Sequence, residues 1–158
     1  MLIPFFVRYF YGGLVKSGDQ NRTSVVAPFT VIHVQGEATM EGGNCYNRME
    51  VGEVMKVIEV LREMLGQKPS VGVITFYAKQ KQLLSLEMQT KKLDNIVVNT
   101  VDGFQGSERD VIIISCVRGG AGGIGFLQDR QRLNVALTRA KYNLVVIGNL
   151  ATLEVRLN

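Results

Sequence analysis

The sequence predicts an α/β domain of three layers, with a mainly parallel central sheet between two layers of helices. Five short runs rich in β-branched residues predict the strands, at residues 31–34, 71–76, 96–100, 111–116 and 144–147. Several runs are apolar at consecutive positions, which is typical of strands buried on both faces of a parallel sheet. Helical patterns alternate with these runs, and this alternation indicates βαβ units.

Three helices are predicted from apolar residues spaced three and four positions apart. The first spans residues 50–65 and places inward Val51, Val54, Met55, Ile58, Leu61, Met64 and Leu65. The second spans residues 78–88 and places inward Leu83, Leu84 and Met88. The third runs from about Asp129 to Ala140. Asp129 is a suitable N-cap for it, because a carboxylate can accept hydrogen bonds from the free amides of the first turn.

The composition predicts one globular domain, spanning residues 1–158, without zinc or disulfide chemistry. The chain has 158 residues, the usual size of one domain, and 46% of them are hydrophobic against 20% charged. Its 2 Cys and 1 His are too few for a disulfide framework or a His/Cys zinc site. The net charge of +4 permits a nucleic-acid partner without requiring one.

The sequence shows no recognisable signal peptide or membrane-spanning segment. Residues 1–10 are apolar, but Pro4 and Arg8 interrupt them, and no small-residue cleavage site follows. We therefore predict an intracellular chain, nuclear or cytoplasmic, in which Cys45 and Cys116 are free thiols. The chain starts within a hydrophobic segment and stops soon after an apolar strand, which predicts a piece of a longer protein.

Residues 99–110, NTVDGFQGSERD, form a polar loop between two predicted strands. The loop follows the carboxyl end of a strand, where open α/β sheets place their ligands, and Gly103 and Gly106 allow close approach of a ligand. One interpretation is a ligand-facing loop in which Gln105 or Glu108 bonds a sugar, a water or a phosphate-bound group. The other is a solvated turn, and spacing alone leaves both open.

Residues 128–149, QDRQRLNVALTRAKYNLVVIGN, combine a helical pattern with a following strand. Arg132 and Arg139 lie seven positions apart, so on a helix they flank the apolar stripe on one side. Periodicity alone favours a solvated basic face. The alternative is a pair of guanidinium groups held toward phosphate, which arginine binds bidentately without losing its charge.

Taken together, these segments resemble a known family. TVDGFQGSERDVIIISCVR followed by GFLQDRQRLNVALTRAKYNLVVIGN resembles motifs V and VI of superfamily 1 helicases, in the branch of the nonsense-mediated-decay RNA helicase, senataxin and Aquarius. VGVITFYAKQ resembles the strand and loop that open the second half of the C-terminal RecA-like domain of that family. RYFYGGLV resembles its FYxGxL element, and NRMEVGEVMKVIEVL resembles the helix that follows. The resemblance covers nearly the whole chain, in the family's order.

The resemblance implies a RecA-like domain, the second of two that hold ATP in the cleft between them. Arg139 matches the family's arginine finger, which neutralises charge developing on the transferring γ-phosphoryl group. Arg132 matches the arginine that orients the finger or pairs across the domain interface. Gln105 matches the glutamine near the phosphates, Glu108 matches the acidic residue that accepts from the ribose hydroxyl, and Gly106 belongs to the same nucleotide-binding motif.

The same resemblance implies a path for single-stranded RNA or DNA across both motor domains. Thr75 and Tyr77 match positions that touch the nucleic-acid backbone, and Thr100 and Asp102 match the side of motif V that faces the strand. Backbone contacts carry affinity but little sequence information, so RNA and DNA stay open as substrates. By the resemblance, translocation runs 5′ to 3′.

The sequence also departs from a complete helicase. It contains no GxxxxGK[ST] pattern and no acidic magnesium box, and its glycine-rich stretch RGGAGGIGF lacks the lysine of a phosphate cradle and is interpreted as a flexible loop. Phe76 stands where many relatives have proline. ATP and Mg²⁺ are thus expected to be held mainly by a missing N-terminal RecA-like domain, and this chain alone is expected not to hydrolyse ATP. The alternative is a non-catalytic module that binds nucleic acid or a protein on a RecA-like scaffold.

Overall fold

The computed structural model of the chain describes residues 27–118, 125 and 129–149. Two sequence patterns lie outside these residues: the RYFYGGLV pattern at residues 8–15 and most of the glycine-rich stretch at residues 118–126. The predicted strands and helices, and every predicted site residue, lie within them.

The predicted parallel sheet is confirmed. Its five strands are β1 (Phe29–His33), β4 (Val71–Thr75), β5 (Ile96–Thr100), β6 (Arg109–Ser115) and β7 (Ala140–Gly148), in the spatial order β1-β7-β6-β4-β5 with every neighbouring pair parallel. A separate antiparallel hairpin consists of β2 (Thr39–Glu41) and β3 (Asn44–Tyr46). The hairpin was not predicted, because strands of three residues carry no readable period.

The three predicted helices are present, with different ends. They are α1 (Arg48–Leu65), α2 (Ala78–Thr90) and α3 (Arg130–Leu137). Asp129 is the N-cap of α3, as predicted, and its side chain accepts from the amides of Gln131 and Arg132.

The predicted carboxyl end of α3 is wrong, because the helix stops at Leu137 and does not reach Ala140. The Thr138 hydroxyl turns back to the carbonyls of Asn134 and Val135, and the amide of Arg109 bonds the carbonyl of Arg139. Pairing with β6 therefore draws the chain into β7 although the apolar spacing would continue the helix. Arg139 lies in the bend between helix and strand.

Helices cover both faces of the sheet, so the three-layer prediction is confirmed. Helices α1 and α2 pack on one face, where the core contains Val54, Ile58, Val73, Leu84 and Ile113. Helix α3 and a 3₁₀ turn at Asp102–Phe104 pack on the other, where the core contains Ile74, Phe104, Ile112, Ile114 and Ala136. One predicted inward residue of α1 is wrong, since Met64 is exposed near the helix end.

The strand order creates a reversal point at the two central strands. From β4 the chain passes through α2 to β5 on one side, and from β6 it passes through α3 to β7 on the other. In open α/β sheets ligands bind beyond the carboxyl ends of the strands at such a point. Here the neighbouring carboxyl-terminal residues are Thr75 of β4 and Ser115 of β6.

Candidate functional site

The motif-bearing loop, residues 99–110, runs along the direction of the strands. It connects the side of the sheet where the parallel strands end, called here the carboxyl edge, to the side where they begin, called the amino edge. It leaves the carboxyl end of β5 at Thr100 and enters the amino end of β6 at Arg109, and Val101 and Phe104 anchor it with 2% and 1% exposure. Those two apolar residues are one 3₁₀ turn apart, so both face the sheet. The loop was predicted to lie at a carboxyl end. The structure confirms this for its first half, whereas the second half reaches the amino edge.

At the carboxyl edge the structure brings Asp102 and Arg132 together. Arg132 donates from Nε to Asp102 Oδ1 at 3.2 Å and from Nη2 to Asp102 Oδ2 at 3.0 Å. The Asp129 carboxylate lies 3.8 Å from the same Nε atom. The guanidinium is thus held between the 3₁₀ turn and the first turn of α3, and its planar fork matches the carboxylate.

At the amino edge the structure places Glu108 beside Arg139. Each residue immediately precedes one member of the paired Arg109 and Ala140, on the neighbouring strands β6 and β7. The Glu108 side chain is exposed, and Arg139 is half-buried. Arg139 donates from Nε to the Val135 carbonyl and from Nη2 to Thr138 Oγ1, both at 3.1 Å.

The prediction that Arg132 and Arg139 flank one helical stripe is therefore wrong. Arg132 lies in the first turn of α3, whereas Arg139 lies beyond its last residue, so the last five residues of the helix, a rise of about 8 Å, lie between them. Arg132 lies at the carboxyl ends of the strands, and Arg139 lies at their amino ends. The exposed Gln105 lies between those edges, followed by Gly106, whose φ of +76° is accessible to glycine without strain.

The residues predicted to contact nucleic acid gather at the carboxyl edge. Thr75 and Thr100 are register partners at the ends of β4 and β5, and Asp102 follows Thr100 by two positions. The Thr75 side chain is fully buried, and its hydroxyl has no hydrogen-bond partner among the described residues. Tyr77, at the N-cap position of α2, is 9% exposed.

Lys81, in the first turn of α2, also reaches this edge. Lys81 donates from Nζ to Asn99 Oδ1 at 2.9 Å, and Asn99 in turn donates from Nδ2 to the Gly103 carbonyl at 3.1 Å. The same Asn99 oxygen accepts from the Thr100 amide. These bonds attach α2 to the start of the motif-bearing loop and bring a positive charge to it.

A buried carboxylate near the same edge was missed by the sequence analysis. Glu50 is 1% exposed in α1, and its carboxylate accepts from Ser115 Oγ at 2.6 Å and from the Val117 amide at 2.9 Å. Burial raises the pKa of Glu50 to about 7, and the bonds from Ser115, Val117 and Cys116 oppose that rise. A signal was present in the sequence, because Glu50 lies on the apolar face of α1, four positions before Val54.

The described part of the chain offers no metal site and no membrane-spanning helix. Over residues 27–118, 125 and 129–149, no cluster of three His, Cys, Asp or Glu residues could hold a metal ion. Over the same residues, no helix combines the length and apolarity needed to cross a membrane. Cys45 and Cys116 are both buried, and neither is in a disulfide.

The sequence is similar to helicases along most of its length. Residues 2–151 match the model of the AAA_12 family, an AAA domain. The chain is 37% identical to regulator of nonsense transcripts 1 of Caenorhabditis elegans over 94% of this chain and 16% of that protein. It is 40% identical to probable helicase senataxin of Mus musculus over 80% of this chain and 5% of that protein. It thus spans a small part of these relatives.

Two further comparisons agree. The chain is 45% identical to the DNA polymerase alpha-associated DNA helicase A of Saccharomyces cerevisiae over 75% of this chain and 17% of that protein. Its fold resembles the C-terminal domain of a possible DNA helicase from Lactobacillus plantarum WCFS1, with a TM-score of 0.53 and 13% identity over 77% of this chain and 72% of that one.

Proposed function

Because the chain belongs to the AAA_12 family and to the superfamily 1 helicases of the branch of regulator of nonsense transcripts 1 and senataxin, we propose that it is a second motor domain. It works in an intracellular, ATP-dependent helicase that moves along single-stranded RNA or DNA. Residues 1–158 form this one RecA-like domain. Its partner is the N-terminal RecA-like domain of the same protein, which supplies the phosphate cradle and the Mg²⁺ ligands.

The juxtaposition of Glu108 and Arg139 at the amino ends of β6 and β7 carries this proposal. An exposed carboxylate suits the hydroxyls of a ribose, and a guanidinium one strand away suits a phosphate. The exposed Gln105 and Gly106 precede Glu108 by three and two positions in the same loop. These groups fit ATP bound in a cleft against the first motor domain.

Arg139 acts as the arginine finger in this proposal. In the structure its guanidinium bonds a neutral carbonyl and a hydroxyl, at Val135 and Thr138. Charged phosphate oxygens accept stronger hydrogen bonds than either group, so the side chain is expected to leave the helix end for the nucleotide. There it stabilises the negative charge that develops during phosphoryl transfer. Mg²⁺ bound with ATP neutralises further charge on the phosphates.

Arg132 has a different task, which its pairing with Asp102 supports. A carboxylate that bonds both Nε and Nη2 occupies the fork that a phosphate would take. We therefore assign Arg132 to orienting motif VI against motif V, so that α3 moves with the loop at Asp102. Changes in bound nucleic acid can then reach Arg139 through α3.

Nucleic acid passes along the carboxyl edge in this proposal. Thr75, Tyr77, Thr100 and Asp102 lie there, and Lys81 lies on the first turn of α2 beside them. Hydroxyl groups can donate to phosphate oxygens, and Asp102 can accept from a sugar hydroxyl. The Thr75 hydroxyl has no hydrogen-bond partner among the described residues, which supports a role for it after a local rearrangement that exposes it.

The ATPase assay that tests the proposal uses two proteins. We expect no ATP turnover by the 158-residue chain alone and nucleic-acid-stimulated turnover by the full-length protein. Turnover by the chain alone would contradict the assignment of the phosphate cradle to another domain. A full-length protein that binds single strands without hydrolysing ATP would instead establish the non-catalytic module.

A further inference from the structure

Val117, just after β6, has a backbone conformation that β-branched residues rarely adopt. Its φ is +69°, and the Arg118 amide donates to the Cys116 carbonyl at 2.8 Å. Val117 is therefore the central residue of a γ-turn of the positive-φ kind, which is uncommon and strained. The turn lies at the reversal point of the sheet, beside the carboxyl end of β4.

Asn47, the N-cap residue of α1, and Glu50, in its first turn, bond the two backbone polar groups of Val117. The Glu50 carboxylate oxygens lie 3.0 and 2.9 Å from the Val117 amide nitrogen, and Asn47 donates from Nδ2 to the Val117 carbonyl at 3.4 Å. Glu50 and Asn47 are 1% and 2% exposed, so water does not compete for these bonds. A strained backbone conformation persists only where surrounding groups hold it in place, as these two hydrogen-bonding side chains do.

Gln80 of α2 explains why Glu50 is available for this contact. A glutamate three residues after an N-cap commonly bonds the N-cap amide. Here the Asn47 amide donates instead to Gln80 Oε1 at 2.8 Å. Gln80 also donates from Nε2 to the Asn47 carbonyl and to Ser115 Oγ, and Ser115 donates to Glu50. The buried polar groups of this network satisfy one another and join α1, α2 and β6.

We propose that Glu50 is a positioning residue, whose buried carboxylate holds the turn at Val117 and thereby sets the direction of Arg118 at the carboxyl edge. The Arg118 side chain lies close to Tyr77, because a Cβ built on Gly125 would meet both Arg118 and the Tyr77 hydroxyl. Arg118 thus borders the proposed path of single-stranded nucleic acid, and its guanidinium suits the phosphodiester backbone. This inference rests on the proposed function.

A glutamine at position 50 separates this role from mere packing. It has nearly the volume of glutamate, but one of its terminal groups is an NH₂ donor that cannot accept from the Val117 amide or from the Ser115 hydroxyl. Glycine at position 117 adopts positive φ without strain and does not need the carboxylate. The effect of Glu50→Gln should therefore be large with Val117 and small with glycine at that position.

The experiment uses the 158-residue chain and compares the wild type with Glu50→Gln, Val117→Gly and the double variant. The control is Glu63→Gln, at an exposed position on the same helix. Fluorescence anisotropy measures the affinity for oligo-U and oligo-dT of about 15 nucleotides. NMR measures hydrogen exchange of the amide at position 117. At pH 8, where Glu50 is ionised, we expect Glu50→Gln to weaken binding about tenfold, the value of one charge-assisted hydrogen bond. It should speed exchange of that amide about a hundredfold, by local opening.

The double variant tests whether Glu50 acts by holding the turn at Val117. In the Val117→Gly background, Glu50→Gln should change affinity by less than about twofold, because glycine keeps the turn unaided. Unchanged amide exchange and affinity in Glu50→Gln would overturn the inference. If Glu50→Gln alone does not fold, the double variant should fold, and its failure to fold would also overturn the inference. If the wild-type chain binds neither oligonucleotide, the nucleic-acid role fails with the proposed function, while amide exchange still decides whether Glu50 holds the turn.

Discussion

Arg132 donates two hydrogen bonds to the Asp102 carboxylate, and this pair joins the two sequence motifs of the domain. Asp102 follows β5 at the carboxyl edge, and Arg132 lies in the first turn of α3, whose other end leads to Arg139. The pair therefore connects the proposed nucleic-acid path to the proposed nucleotide site through one short helix. Because both side chains are partly exposed, the pair contributes to geometry more than to stability.

The first prediction concerns this pair. In the full-length protein, Asp102→Asn should reduce the stimulation of ATP turnover by single-stranded nucleic acid about tenfold, since a neutral amide cannot replace a charge-assisted bidentate contact. The free energy of unfolding of the chain should change by less than about 1 kcal/mol, as for other exposed pairs. Steady-state ATPase rates with and without oligo-U measure the stimulation. Asp94→Asn, at an exposed carboxylate elsewhere, is the control, and equal stimulation in the two variants would contradict the coupling role.

The second prediction concerns Arg139. If Arg139 is the proposed arginine finger, Arg139→Ala in the full-length protein should lower kcat by about three orders of magnitude, as the loss of known arginine fingers does. The Kd for single-stranded nucleic acid should stay within about twofold, because Arg139 lies at the amino edge and the proposed contacts with the nucleic-acid backbone lie at the carboxyl edge. Lys141→Ala removes an exposed positive charge two residues away and should leave kcat unchanged. A normal kcat in Arg139→Ala would exclude the finger.

The sheet could be predicted well because strands and helices are recognised from patterns among residues that are close in sequence. Several strand runs are apolar on both faces, and the apolar residues of each helix recur every three or four positions, so neighbouring residues suffice to identify these elements. The end of α3 is different. Leu133, Ala136, Leu137 and Ala140 continue a helical stripe, yet Ala140 pairs with Arg109 of β6. This pairing joins residues 31 positions apart, and local periodicity cannot report it.

The candidate site shows the same limit. The sequence identified Asp102 and Arg132 separately through their motifs, but their bidentate pairing depends on how α3 packs against the 3₁₀ turn. Glu50 was visible as a charged residue on an apolar helical face. Its partner, the Val117 amide, is 67 positions away and belongs to the backbone, so no side-chain pattern could reveal it.

The third prediction compares two glycines. Gly72 lies in β4, where an added Cβ would come within 2.7 Å of Phe104 Cζ and 2.9 Å of Ile112 Cδ1. Gly72→Ala should therefore lower the free energy of unfolding by about 1–3 kcal/mol, because it overpacks the residue that anchors the motif-bearing loop. Gly52, in α1, has open space around it, and Gly52→Ala should raise the free energy of unfolding by about 1 kcal/mol through helix propensity. Urea unfolding of the chain measures both, and a stabilising Gly72→Ala would show that Phe104 does not pack closely there.

The fourth prediction concerns the pH dependence that Glu50 gives to stability. Burial raises the pKa of Glu50 from 4.5 to about 7, so between these values the folded chain keeps a proton that the unfolded chain releases. The stability that this proton contributes is therefore fully present below the unfolded pKa and is lost as the pH rises through the folded pKa. A shift of this size corresponds to about 3 kcal/mol. The neighbouring thiols of Cys45 and Cys116 stay neutral in this range, because burial raises the pKa of each.

Glu50→Gln removes this titration, so the comparison of the two proteins isolates it. The free energy of unfolding of the wild type minus that of Glu50→Gln should fall by about 3 kcal/mol between pH 4.5 and pH 8, because only the wild type carries the titrating carboxyl. Urea unfolding at several pH values measures this difference. The same difference taken with Glu63→Gln, at an exposed site on the same helix, should stay nearly constant. A wild-type advantage that grows with pH would mean that the hydrogen bonds from Ser115 and Val117 outweigh desolvation, and that the pKa of Glu50 lies below its ordinary value.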